Sequence, residues 1–368
     1  MNPRASLLVQ ALARPADCLA WPLHQWELLM QQARRANLMA RLEVAFERAG
    51  VHAQLPVGPR KHFDSIRRVA DSQVRAVRWE ARQIAAALQD MPGMPVVMLK
   101  GAAYVLAELP VAQGRLFSDV DILVPRERVP GVESSLMAAG WQNSHHDAYD
   151  QRYYREWMHE IPPMQHALRE TVIDVHHNIL PLSGRIRLDA GLLLAAAQPL
   201  AAWPGLSRLG DADLVLHSAC HLFLDGEFDK GLRDLVDLDA LLRHFGGHAE
   251  FWPSLQQRAR ELGVGRVLFY ALRYTALILQ TPVPQQAHQA LQDLAPNALV
   301  LRLMDAVFIR ALQPDHPSCE SAGTGAARRW LYLRAHWMRM PLHLLLPHLI
   351  RKTFKRDPDD EVVVQAKT

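Results

Sequence analysis

The chain has 368 residues, of which 49% are hydrophobic and 21% charged, a globular balance that leaves room for a packed core and excludes wholesale disorder. Its formal net charge of +3 is too small to argue for nucleic acid as a partner. Cys18, Cys220 and Cys319 stand far apart in no metal or disulfide spacing, which points to a reducing compartment.

In chain order, Arg4 and Arg14 interrupt the first apolar stretch, so no signal-peptide core is expected, and no uncharged run reaches the ~18 residues of a membrane span. A cytoplasmic protein is the expectation. Up to about residue 90 the pattern is helical. "WELLMQQARRANLMARLEVAFERAG" and "DSIRRVADSQVRAVRWEARQIAAALQD" place apolar residues at three- and four-residue steps, with "VHAQLPVGPR" as a connection. The arginines here read as solvated faces.

From about 91 to 200 the texture is mixed. "VVMLK" is a short β-rich run, "GAAYVLAEL" a helix, "SDVDILV" a second strand and "RERVPGVESSLMAAG" another helix. "HEIPPMQHA" and "ETVIDVHHNIL" read as a hairpin about a polar turn. From about 201 to 368 helical periods return, and "DPDDEVVVQAKT" reads as a mobile end. The expected fold is α+β: a small mixed sheet over 91–200, flanked by helical regions over 1–90 and 201–368.

The chemistry concentrates in the middle. Residues two apart on a strand share a side, so Asp119 and Asp121 project together while Val120 and Ile122 face a core. Paired carboxylates suit Mg²⁺, or Mn²⁺, which takes hard oxygen ligands and substrate phosphates. The plainer alternative is two exposed aspartates on an edge strand. Lys100 and Gly101 end one strand and open a helix, where free N–H groups favour a phosphate and glycine allows close approach. Further on, Asp174 alternates with Ile173 and Val175 in the same way, with His176 on its own side. Three carboxylates beside a glycine turn suit metal-assisted phosphoryl transfer.

The string "LKGAAY … GRLFSDVDILV … IDVHHNIL" resembles the polymerase-beta-type nucleotidyltransferase superfamily, and more particularly a bacterial group labelled "nucleotidyltransferase family protein". The motif-bearing resemblance covers roughly residues 95–180, with a looser helical similarity to about 245. It implies that Asp119 and Asp121 are paired metal ligands and that Asp174 is the third carboxylate, able to ligate the metal and act on the attacking hydroxyl. It further implies that Gly101 belongs to a phosphate-gripping turn. The superfamily usually has Gly-Ser or Gly-Gly there. This chain has Gly101-Ala102, which leaves the grip to backbone N–H groups and Lys100. Arg115 and Ser118 precede the aspartates: Arg115 either neutralises triphosphate charge or organises its loop through a salt bridge, and Ser118 caps the turn or touches phosphate. His176 orients Asp174 or meets substrate, and His177 faces the other way.

Outside that string, His217 and His221 have the i, i+4 spacing of metal ligands but lack a metalloprotease glutamate, which favours a structural place or the cleft wall. In "DKGLRDLVDLDALL", Lys230 and Arg233 could meet a phosphate or base, while a Lys230–Asp234 surface pair is the blander alternative. "RRWLYLRAHWMRMPLHLLLPHLIRKTFKR" offers a peripheral contact with the inner membrane surface, a subunit contact, or a buried helix pair.

The resulting expectation is a Mg²⁺-dependent transfer of a nucleoside monophosphate from an ATP-like triphosphate to an unidentified acceptor. Two alternatives stand beside it: a non-catalytic nucleotide-binding scaffold, and an enzyme that AMPylates a partner protein.

Overall fold

The computed structural model describes residues 6–143 and 148–344 except 342. The segment "DPDDEVVVQAKT" and most of the basic stretch after Pro341 lie outside the described residues.

Helices α1 (Leu7–Ala13), α2 (Leu23–Arg35), α3 (Met39–Arg48) and α4 (Val57–Ala87) open the chain. The first long helical pattern breaks at Asn37, whose φ of 56° closes α2 and redirects α3; asparagine takes that left-handed state at small cost. Helix α4 starts earlier than its apolar period suggests. Gly58 and Pro59, which read as a connection, sit in its first turn, where the missing proline N–H costs nothing.

The sheet region runs β1 (Val96–Met98), α5 (Lys100–Leu106), β2 (Asp119–Leu123), α6 (Val129–Ala138), β3 (Trp141–Asn143), α7 (Ala148–Arg152), β4 (Met164–His166), β5 (Val172–His176), α8 (Ala190–Ala195), β6 (Gln198–Pro199) and β7 (Leu206–Arg208). These strands form one mixed sheet of seven in the order β3-β4-β5-β2-β1-β7-β6. The expected hairpin is β4–β5, antiparallel with Met164 opposite Ile173. The sheet also draws β7 from beyond residue 200, where it pairs parallel to β1. Helices α9 (Asp211–Asp225), α10 (Gly231–Phe245), α11 (Phe251–Glu261), α12 (Gly265–Leu279), α13 (Gln285–Gln289), α14 (Ala298–Ala311) and α15 (Thr324–Arg339) follow. The fold is α+β.

A continuous buried apolar cluster runs from Leu8 in α1 to Leu331 in α15, so the flanking helices and the sheet share a core. Strand β2 is fourth of seven, not an edge. Its Val120 and Ile122 are buried, as are Ile173 and Val175 of β5, which anchors the opposite face of both strands. None of the helices among the described residues is long and apolar enough to cross a membrane. The described part of the C-terminal basic-aromatic stretch is α15, which pairs Arg339 with Asp225 of α9 and lays Trp337 against Arg185.

Arg41 departs from the solvated-face expectation. It is buried in α3, where it bonds Asp237 Oδ1 of α10 at 2.9 Å and the carbonyl of Val111 at 2.5 Å. Arg115 meets the other oxygen of Asp237 at 2.8 Å. One carboxylate thus compensates two buried guanidinium groups and ties the N-terminal helices, the loop before β2 and the C-terminal helices together. Asp237→Asn strands both cations and should lower unfolding free energy by about 3–5 kcal/mol. Chemical denaturation checks this, and a loss under ~1 kcal/mol would contradict the role.

Candidate active site

Strands β2 and β5 run parallel with Asp121 directly opposite Asp174. Asp119 lies two residues earlier on β2, so the three carboxylates share one face of adjacent central strands. Asp121 is 2% exposed, which its charge can tolerate only with partners. It has two on one oxygen: Lys100 Nζ at 2.7 Å and His176 Nε2 at 3.0 Å from Oδ1. Burial opposes its ionisation, but Lys100 and His176 outweigh that and hold its pKa well below the usual carboxylate range. Burial likewise opposes the charge of Lys100, and Asp121 overcomes it, raising the ammonium pKa.

Asp174 is in the contrary state. Burial, and then the neighbouring charge of Asp121, push its carboxyl up to about 7, and its Oδ1 is buried with no hydrogen-bond partner among the described residues. Two carboxylates side by side on parallel strands are thereby driven apart in acidity, one firmly ionised and one poised near neutrality. His176 lies on the side expected for it, but it bonds Asp121 rather than Asp174. Its other ring nitrogen lies 3.2 Å from Glu160 Oε2. Burial works against its protonation, but Glu160 and Asp121 prevail and raise its pKa. His177 is buried beside it, and desolvation followed by Arg126 lowers its pKa to about 4.

Asp119 is partly exposed, accepts from Ser118 Oγ at 3.1 Å, and opens onto a polar cleft of about 400 Å³. Lys100, Ser118 and Asp119 stand on one wall of this cleft; His221, Lys230 and Arg233 stand on the other. The two clusters the sequence leaves far apart therefore face the same space. Arg115 also reaches the cleft, but its Nε is committed to Asp237, the loop-organising alternative. The expected Lys230–Asp234 pair is replaced: Asp234 Oδ1 is held by Arg233 at 2.6 and 2.8 Å, and His221 lies 3.6 Å from Oδ2. Lys230 is left at the N-terminal end of α10, lining the cleft. His217 is buried, and desolvation followed by Lys100 lowers its pKa far below the ordinary value; His221 is on the cleft wall.

Gly101 has a different reason to be glycine from the one its motif suggests. Its Cα is covered by Arg115 and Phe117, and a Cβ there would lie 2.5 Å from Phe117 Cδ1. Lys100 carries the turn, at φ 43°. Ala102 is 1% exposed, so a serine hydroxyl in its place would enter apolar surroundings. Sequence reasoning did not single out Glu160 or His159, which precede the hairpin. The available signal was "HEIPP", a charged pair abutting an apolar segment.

Residues 22–280 match the family described as "Uncharacterised nucleotidyltransferase". The chain belongs to this nucleotidyltransferase family. The match spans helices α2 to α4, the whole sheet and the helices α9 to α12, so the cleft lies entirely within family territory. No curated protein and no solved structure matches the chain significantly.

Two outcomes follow for this nucleotidyltransferase-family site. Asp174 binds its proton more tightly folded than unfolded, so it costs the fold stability progressively as pH rises from its ordinary 3.8 to about 7. In EDTA, Asp174→Asn should therefore gain stability relative to wild type across that interval, and a difference independent of pH would refute the shift. Gly101→Ala should lose about 1–3 kcal/mol in urea unfolding through overpacking against Phe117. A neutral result would mean that the ring and Arg115 can yield.

Proposed function

We propose that the protein is a Mg²⁺- or Mn²⁺-dependent nucleotidyltransferase that moves a nucleoside monophosphate from an ATP-like triphosphate to an acceptor hydroxyl or phosphate. The observation that carries this reading is the in-register pair Asp121–Asp174 on parallel strands, with Asp119 two residues along and opening onto the polar cleft that Lys100, Lys230 and Arg233 also line.

The buried Oδ1 of Asp174, which has no hydrogen-bond partner among the described residues, fits a ligand position, as does the hard all-oxygen donor set. Asp119, Asp121 and Asp174 would hold the cation. When bound, it supplies charge neutralisation of the triphosphate and polarisation of the α-phosphate. Lys100, bonded to Asp121, lines the same cleft as Lys230 and Arg233, and these three cations would meet the triphosphate. Asp174, poised near neutrality, accepts the proton of the acceptor oxygen as that oxygen bonds to the α-phosphorus. The bond from the α-phosphorus to the bridging oxygen breaks, and pyrophosphate leaves.

A second reading, a non-catalytic nucleotide-binding scaffold, is favoured by one specific observation: Gly101, the residue of the phosphate-gripping turn, is covered by Phe117 and Arg115. Pyrophosphate release separates the two. Wild-type protein with ATP, other nucleoside triphosphates and Mg²⁺ should release pyrophosphate, and Asp174→Asn should slow it by about 10²–10⁴-fold, the usual share of a general base. Asp119→Asn should raise the Mg²⁺ requirement. Nucleotide binding by calorimetry without turnover, or turnover indifferent to both substitutions, would defeat the transferase reading. Mass gain on a co-purified protein would identify the acceptor as a polypeptide.

A further inference from the structure

Adjoining the aspartate face is a set of ligands of different character. His159, Glu160 and His176 each present one ligand atom, and these lie within 4.8 Å of one another. Among the described residues, Glu43, Glu47 and His52 make another such set, but Arg67 already bonds both of its glutamates, at 3.1 and 3.0 Å. No arginine or lysine pairs with Glu160 among the described residues: Lys100 is on Asp121, and Arg339 is on Asp225.

The ring of His176 is 3% exposed and works at both ends. Nε2 bonds Asp121 at 3.0 Å, while Nδ1 makes no hydrogen bond among the described residues and faces Glu160 Oε2 at 3.2 Å. With Nε2–H donating to Asp121, the Nδ1 lone pair and the Glu160 carboxylate converge on one point, which a proton or a metal ion can occupy. The distance suits a metal ion: tetrahedral Zn²⁺ with bonds of about 2.0–2.2 Å separates neighbouring ligands by about 3.3 Å. His159 adds a ring 5.3 Å from that of His176, and its Nδ1 is buried with no hydrogen-bond partner among the described residues.

The backbone holds these groups in place. Glu160 bridges to His176, Ile161 N–H donates to Val175 O at 3.0 Å, and His177 N–H donates to His159 O at 2.9 Å. The ligand pair is thus laced to the end of β5 before any ion binds.

We propose that His159, Glu160 and His176 form a second cation site, distinct from the aspartate face and suited to a borderline transition metal such as Zn²⁺. Two imidazoles and a carboxylate are the donor set of a three-ligand zinc site with one position left to water, and they discriminate against Mg²⁺. A metal on Nδ1 leaves the proton on Nε2, where it donates to Asp121. This metal–histidine–carboxylate relay fixes the orientation of the carboxylate at the centre of the other site. His176 is then a positioning residue whose tautomer is set from outside the cleft.

The test uses the full-length, metal-stripped protein. It should take up one equivalent of Co²⁺ with the visible bands of four-coordinate cobalt, and X-ray absorption should show imidazole scattering. Zn²⁺ should compete for the same site while excess Mg²⁺ does not. His159→Gln and Glu160→Gln should each weaken Zn²⁺ binding by at least about 10-fold, the loss produced even by removing a partner one shell further out. Asp119→Asn should keep the cobalt spectrum while impairing transfer, so failure of this site is distinguishable from failure of the transferase reading. A wild-type protein that takes up no transition metal, a six-coordinate all-oxygen cobalt spectrum, or unchanged affinity in both variants overturns the proposal. The wild-type spectrum decides even if a variant does not fold.

Discussion

Asp121 is the group on which the site depends. A buried carboxylate in the central strand of a seven-stranded sheet is tolerable only with its charge answered, and here Lys100 and His176 answer it on a single oxygen. Each partner brings a different piece of chain to the same point: Lys100 the start of α5, His176 the end of β5. The charge of Asp121 then acts sideways on Asp174, its in-register neighbour, and with burial keeps that carboxyl near neutrality. One desolvated charge therefore orders a lysine, orients an imidazole and tunes a second acid.

The helical regions complete what the sheet begins. The bridge from Arg41 through Asp237 to Arg115 spans α3, α10 and the loop entering β2. By holding α10 against that loop it sets Lys230 and Arg233 across the cleft from Lys100 and Asp119. The buried ion pairs here carry placement more than stability, since charges of this kind gain little net energy over apolar replacements of similar volume. The continuous core from α1 to α15 gives the placement its rigidity.

Much of the architecture was legible because period and punctuation carry it. The β4–β5 hairpin follows from two apolar-alternating runs about a polar turn, and the shared side of Asp119 and Asp121 follows from the two-residue period of strands, whereas Asp174 joins them through the in-register pairing of β5 with β2. Arg41 was not legible. An arginine on an amphipathic helix reads as solvated until another element supplies its counter-charge, and Asp237 is far along the chain. Gly101 shows the converse: its presence is plain in the motif, but the reason for it, Phe117 and Arg115 packed on its Cα, is a tertiary fact. Glu160 and His159 escaped notice because no spacing rule connects them to His176, and only the bridge between the two segments brings them together.

By itself, then, the sequence determined that this protein has an α+β fold, that its middle third carries paired carboxylates on strands, and that its motifs belong with nucleotidyltransferases. Those properties are written locally, in alternation, turns and short strings. Tertiary structure alone decided which charge answers which. That choice depends on distances of about 3 Å between groups distant in the chain, and on burial, which makes such distances matter. It gave Asp121 to Lys100 and His176 and Arg115 to Asp237, leaving Asp174 with an oxygen that no group among the described residues satisfies.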